Sequence, residues 1–129
     1  MAKTFDLSID QGSNYTTVLP PVTNYDSTIV DLTGHTVSSF MRRSYAINYA
    51  VEITSVITDP PGGVITLSMD NTDTSGLTAT RWVYDVIITN AEGKITKVFE
   101  GIVMVNPAVT SKPYTTLMTP YIPDDYGGL

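Results

Sequence analysis

The stretch RWVYDVIITNAEGKITKVFEGIVMV, residues 81–105, constrains the fold more than any other part of the chain. Two runs rich in Val, Ile, Phe and Tyr flank NAEGK, in which Gly93 is free to take positive φ, so the segment is expected to form a β-hairpin. The side-chain period of two places Trp82, Tyr84, Val86 and Ile88 on one face of the first arm and Val83, Asp85 and Ile87 on the other. On the returning arm Phe99, Gly101, Val103 and Val105 share one side, and Val98, Glu100, Ile102 and Met104 share the other. Both sides are rather apolar. Asp85 and Glu100 can be a pair of working carboxylates or the wet side of two strands; the second reading is favoured, because perturbed pairs are a minority among strand-borne acids. Gly101 is expected to mark a bulge or a close backbone approach.

The same alternation recurs upstream. TFDLSI sets Phe5, Leu7 and Ile9 on one face; HTVSSFM gives Val37 and Met41; VEITSVI gives Val51, Ile53 and Ile57; VITLSM gives Ile65, Leu67 and Met69. Turn-rich segments separate them: DQGSN, PPVTNYDS, DLTG, DPPGG, DNTDTSG and NAEG. Pro60 and Pro61 forbid a helix at their position. One helical turn is expected in NTDTSGLTA, capped by Asn71, Thr72 or Thr74 and ended by Gly76. The fold class is all-β, and the alternation alone suits a sandwich or a barrel.

A chain of 129 residues makes one core, burying roughly two-thirds of the surface its unfolded form exposes. We divide it into a β-domain at 1–106 and an extended Pro/Tyr-rich C-terminal arm at 107–129. Thirteen acidic residues against seven basic ones give a net charge of -6. Nucleic acid is not an expected partner, since phosphate binding needs clustered Lys and Arg and the only adjacent basic pair is Arg42-Arg43. Cysteine is absent, which removes disulfides and thiolate chemistry. The N-terminal MAKTFDLSID lacks an apolar signal core, and no apolar run approaches the roughly 20 residues that span a bilayer, so neither export nor a membrane partner is expected.

Catalytic and metal-binding patterns are weak. The single histidine, His35, has no G-x-S-x-G serine to serve and reads as a residue leading into a strand. Asp70, Asn71, Asp73, Ser75 and Gly76 resemble half of a calcium loop, but the twelfth position is Arg81 where a bidentate Glu is required. No phosphate-cradling glycine motif occurs. We expect no catalytic residue, no cofactor and no metal.

Two segments exceed what a self-contained domain needs. The arm carries Pro107, Pro113, Pro120 and Pro123 and cannot continue a central strand or a helix. Disordered tails are poor in aromatics and this one is rich in them, so an arm that docks on another subunit is expected. Its partner-binding residues are Tyr114, Leu117, Met118, Tyr121, Ile122 and Tyr126. The second segment, LPPVTNYDSTIVD at 19–31, is either an ordinary edge loop or a contact loop.

FDLSIDQGSNYTTVL, DLTGHTVSSFMRR and the run from GGVITLSMDNTDTSGLTATRWVYDV to EGIVMVNPAVT follow one another in a telling order. With Gln11-Gly12, Asp31-Leu32-Thr33-Gly34, Tyr84-Asp85 and Glu100-Gly101 in sequence, residues 5–110 resemble small bacteriophage virion proteins, in particular the N-terminal, particle-attaching domain of upper-baseplate and tail-fibre-associated proteins. The resemblance implies an immunoglobulin-like antiparallel β-sandwich. It also implies a non-enzymatic structural subunit of tail, baseplate, neck or fibre attachment, partnered by other virion proteins in a symmetric homo-oligomeric assembly. Such a protein would be assembled in the host bacterial cytoplasm and reside in the virion. The alternatives are a capsid decoration protein, a carbohydrate-binding sandwich presenting Trp82, or an enzyme built on Asp85, Glu100 and His35.

Overall fold

The computed structural model describes residues 2–109. The strands are β1 (Lys3–Thr4), β2 (Leu7–Asp10), β3 (Tyr15–Val18), β4 (Thr36–Arg42), β5 (Val51–Glu52), β6 (Thr54–Asp59), β7 (Val64–Met69), β8 (Arg81–Thr89) and β9 (Ile95–Asn106), with one helical turn, α1 (Asn71–Ser75), before β8. They form two sheets. The larger runs β1-β9-β8-β4-β5 with β2 also on β9, and the smaller runs β3-β7-β6. This is the connectivity of an immunoglobulin-like sandwich with an extra short strand beside the third, as in variable-type domains. The N-terminal strand departs from the antiparallel rule: β1 and β2 pair with β9 in parallel.

The hairpin 81–105 supplies the frame of the larger sheet. Trp82, Tyr84, Val86 and Ile88 of β8 and Phe99, Val103 and Val105 of β9 are all buried, as the alternation requires. Ile65, Leu67 and Met69 of β7 face them from the smaller sheet, in one continuous core with Leu7, Ile9, Met41 and Ile53. Fully burying each such side chain stabilises by about 1.5–3 kcal/mol. Trp82 also ties the corner between sheets, its indole N–H donating to the Thr78 carbonyl at 3.0 Å. In immunoglobulin domains a tyrosine hydroxyl bonds back to upstream backbone at the comparable corner.

Several local expectations need correction. VEITSVI is not one strand: the chain leaves the larger sheet after Glu52 and joins the smaller at Thr54. Ile53 is the pivot, fully buried, with its N–H bonded to the Ser39 carbonyl. TFDLSI is interrupted at Phe5 and Asp6, although β1 and β2 keep one register on β9. β3 lies outside the alternating runs, in YTTV. The helical turn is capped by Asp70 rather than Asn71, Thr72 or Thr74, with the Asp73 N–H donating to its carboxylate. Thr74 is instead fully buried and donates its hydroxyl to the Ser13 carbonyl at 2.8 Å.

Gly101 is a site of close approach. A Cβ there would stand 2.6 Å from the Phe5 carbonyl oxygen and 2.8 Å from Asp6 Oδ1. The register slip of the hairpin lies elsewhere, between Val86 and Ile87 opposite Val98. The Phe5–Asp6 interruption is pinned from three sides: the Tyr84 hydroxyl donates to the Phe5 carbonyl, the Phe5 N–H donates to the Glu100 carbonyl, and the Ile102 N–H donates to Asp6 Oδ1. Burial pushes the Tyr84 hydroxyl well above the ordinary tyrosine range, so it stays a donor.

Candidate functional site

Two surfaces stand out, and both follow from the sheet register. On the outer face of the larger sheet, direct partners lie in rows: Phe40, Asp85 and Glu100 in one, Arg42, Val83 and Ile102 in the next. Phe40 and Met104 are 43% and 44% exposed, although a strand side chain of that size is more often covered. A shallow depression of about 240 Å³ opens beside Phe40, floored by Val83 and bordered by Arg42, Tyr45, Asp85 and Glu100.

The two carboxylates are therefore directly opposite, an unfavourable like-charge pair. Lys97 relieves it, its Nζ 2.9 Å from Glu100 Oε1, and the hydrogen bond and charge of Glu100 raise the lysine above its ordinary range. Both ends of this ion pair are substantially exposed, so it contributes little to stability. Arg42 is committed elsewhere, donating to the Ile47 and Asn48 carbonyls and so fastening the loop that carries Tyr45 and Tyr49. The face is thus apolar with an acidic centre.

The second surface is a cleft of about 540 Å³ at the end of the sandwich where β8 turns into β9. Val22, Val30, Ile88, Val98 and Phe99 supply its apolar part, and Lys3, His35, Asn90 and Lys94 its polar part. Its walls are well braced. Asn90 Oδ1 accepts from the N–H groups of Glu92 and Lys94, both at 2.9 Å, and Gly93 has φ +89. On the other side 22–30 is a small hairpin: the Val30 N–H donates to Val22, the Asn24 N–H donates to Thr28, and Thr23 bridges Ile29. Asp26 at its tip accepts from the Thr28 hydroxyl and N–H, which lower its acidity range below the usual carboxylate value. So 19–31 contains a hydrogen-bonded hairpin loop on which Tyr25 is 87% exposed.

Of the residues singled out from sequence, Asp85 and Glu100 meet on the outer face, whereas His35 lies in the end cleft; the structure does not bring the three together. Trp82 is 3% exposed and offers no platform for a sugar ring. Tyr114, Leu117, Met118, Tyr121, Ile122 and Tyr126 lie outside the described residues. Among the described residues no three His, Cys, Asp or Glu side chains gather as metal ligands, and no helix is long and apolar enough to cross a membrane. The cleft had no sequence signal, because its lining comes from four separated segments.

A scan against protein-family models finds no match, and no curated protein matches the sequence. Among solved structures, an internalin-like protein of Listeria monocytogenes is similar over 81% of this chain, with 19% identity and a TM-score of 0.42. The chain covers 28% of that protein.

Proposed function

We propose that the chain is a non-enzymatic structural subunit of a bacteriophage particle, in its tail, baseplate, neck or fibre attachment, joining neighbouring subunits through the sandwich and the C-terminal arm. The observation that carries the docking half of this reading is the outer face of the larger sheet, where Phe40, Val83, Ile102 and Met104 form an apolar surface with half-exposed members. Apolar side chains grouped on one solvent-facing sheet mark interaction surfaces. The particle itself is suggested by the ordered sequence motifs. The partner of this face is another virion protein rather than a second copy. A two-fold pairing centred on Asp85 and Glu100 would set these carboxylates against their own duplicates, and like charges across an interface are disfavoured.

The test is incorporation. Purified particles are analysed by mass spectrometry for this chain, and particles are then assembled with the Phe40→Lys/Met104→Lys variant. The reading requires the wild-type chain in the particle and a strong fall in incorporation of the folded variant. A chain never found in purified particles, or a variant incorporated at wild-type level, overturns it.

A further inference from the structure

Resting on that reading, we infer that the end cleft is the acceptor for residues 121–126 of a neighbouring copy, so that copies join head to tail. The first support is charge. Among the described residues no Asp or Glu lines the cleft, in a chain with thirteen acidic residues, whereas Lys3 and Lys94, two of its seven basic residues, do, together with its only histidine. Asp26, at the tip of the loop that borders the cleft, accepts from Thr28 within its own loop. An acidic molecule that reserves one carboxylate-free, cationic cleft is built to receive an anion.

The second support is the match in chemistry along the arm. YIPDDY at 121–126 sets two large apolar side chains, Tyr121 and Ile122, just before two carboxylates, Asp124 and Asp125, and the arm has no basic residue beyond Lys112. The cleft offers the converse, an apolar floor ending at Phe99 with Lys3 and Lys94 at its rim, and at about 540 Å³ it has room for both side chains. That volume falls among sites that enclose a ligand, roughly 300–1,000 Å³.

The third support is reach. β9 begins at Ile95 beside the cleft and ends at Asn106 at the opposite end of the sandwich, about 36 Å away at about 3.3 Å per residue. The arm leaves β9 at that opposite end, where the Ala108 N–H donates to Gln11 Oε1, so residues 110–121, about 36–40 Å when fully extended, would have to double back along the sandwich to enter their own cleft. A copy stacked end to end presents its cleft where the arm departs. Such a contact is heterologous, and repeats into a ring or a filament.

The test uses full-length protein and sedimentation velocity at low ionic strength. Wild type should associate, and raised salt should weaken it. Lys3→Glu/Lys94→Glu and Asp124→Lys/Asp125→Lys should each associate roughly tenfold to a hundredfold more weakly, the loss of one to two charge pairs. All four changed residues are polar, and an unchanged circular dichroism spectrum and melting point verify the fold. Mixing the two variants should restore association, because each then offers the complement of the other. Three results overturn the inference: wild type monomeric at all concentrations, variants that associate like wild type, or a mixture that fails to recover. If the charge variants enter particles normally while the Phe40→Lys/Met104→Lys variant does not, the cleft assignment falls and the assembly reading stands. If the chain is absent from particles, the assembly reading itself falls.

Discussion

Gly101→Ala should destabilise the protein by about 1.5–3 kcal/mol, although the same change elsewhere often stabilises. Replacing glycine restricts the unfolded chain and favours the fold by about 0.4–1 kcal/mol where the native site accepts a methyl group. Here the added carbon meets the Phe5 carbonyl oxygen at 2.6 Å, so reaching the 3.4 Å of ordinary contact requires a shift of about 0.8 Å. The atom in the way is backbone, and it holds the buried end of the Tyr84 hydroxyl bond. Moving it leaves a buried donor unpaired, a loss of about 1–3 kcal/mol, and strains the Asp6–Ile102 bond worth about 1 kcal/mol more. Urea denaturation followed by the fluorescence of Trp82, the single and buried tryptophan, measures the change, which corresponds to a melting point lower by about 6–12 °C in a domain of this size. Since the methyl group and the hydroxyl act on one carbonyl, Gly101→Ala should cost less in a Tyr84→Phe background than in wild type. A neutral or stabilising Gly101→Ala, or full additivity with Tyr84→Phe, refutes the account of the Phe5–Asp6 interruption.

Phe99→Ala should cost about 3–5 kcal/mol in the same assay, because Phe99 is among the largest fully buried side chains and its loss opens a cavity between the sheets. Acid should weaken the fold through three loop carboxyls. Asp26, Asp31 and Asp70 are each held below the ordinary 3.8, first by the hydroxyl of Thr28, Thr33 and Thr72 respectively. The folded state thus favours their ionised forms, so this stabilisation is complete above pH 3.8 and is lost as pH falls through the lower folded values. Melting curves from about pH 5 to about pH 2 should flatten when the three threonines are replaced by valine, and an unchanged slope would remove these turns as a source of acid sensitivity.

Much of this architecture was legible because a single period governs it. Trp82, Tyr84, Val86 and Ile88 alternate cleanly, and so do Ile65, Leu67 and Met69; every residue the alternation names is buried, and in β8 Val83 is buried as well, on the other face. The misses have a common cause in features that leave parity untouched. Ile53 keeps the rhythm of VEITSVI while the chain passes from one sheet to the other, so nothing in the residue order marks the switch. β3 stayed hidden because none of Tyr15, Thr16, Thr17 and Val18 is fully buried, which leaves a weak pattern at a sheet edge. Gly101 announced that something passes close by, but not that it is Phe5, more than ninety residues earlier. The facing of Asp85 and Glu100 depended on the slip at Val98, one residue that no local signal betrays.

The two surfaces point in different directions, and this sets what each can do to an assembly. The cleft and the departing end of β9 lie along the strand axis, whereas the outer face looks across it. A head-to-tail contact between opposite ends of identical copies builds a ring or filament from this chain alone, with the rotation between neighbours deciding which. The outer face, with Asp85 and Glu100 at its centre, then remains free on every copy of that ring to hold a different partner with apolar and basic groups. The consequence is separable. Phe40→Lys/Met104→Lys should leave the mass of the purified assembly unchanged while preventing attachment to the particle, and Lys3→Glu/Lys94→Glu should reduce that mass while leaving the outer face intact. Loss of the purified assembly on changing Phe40 and Met104 would mean that the sheet face joins like to like after all, and the division of labour between face and end would be wrong.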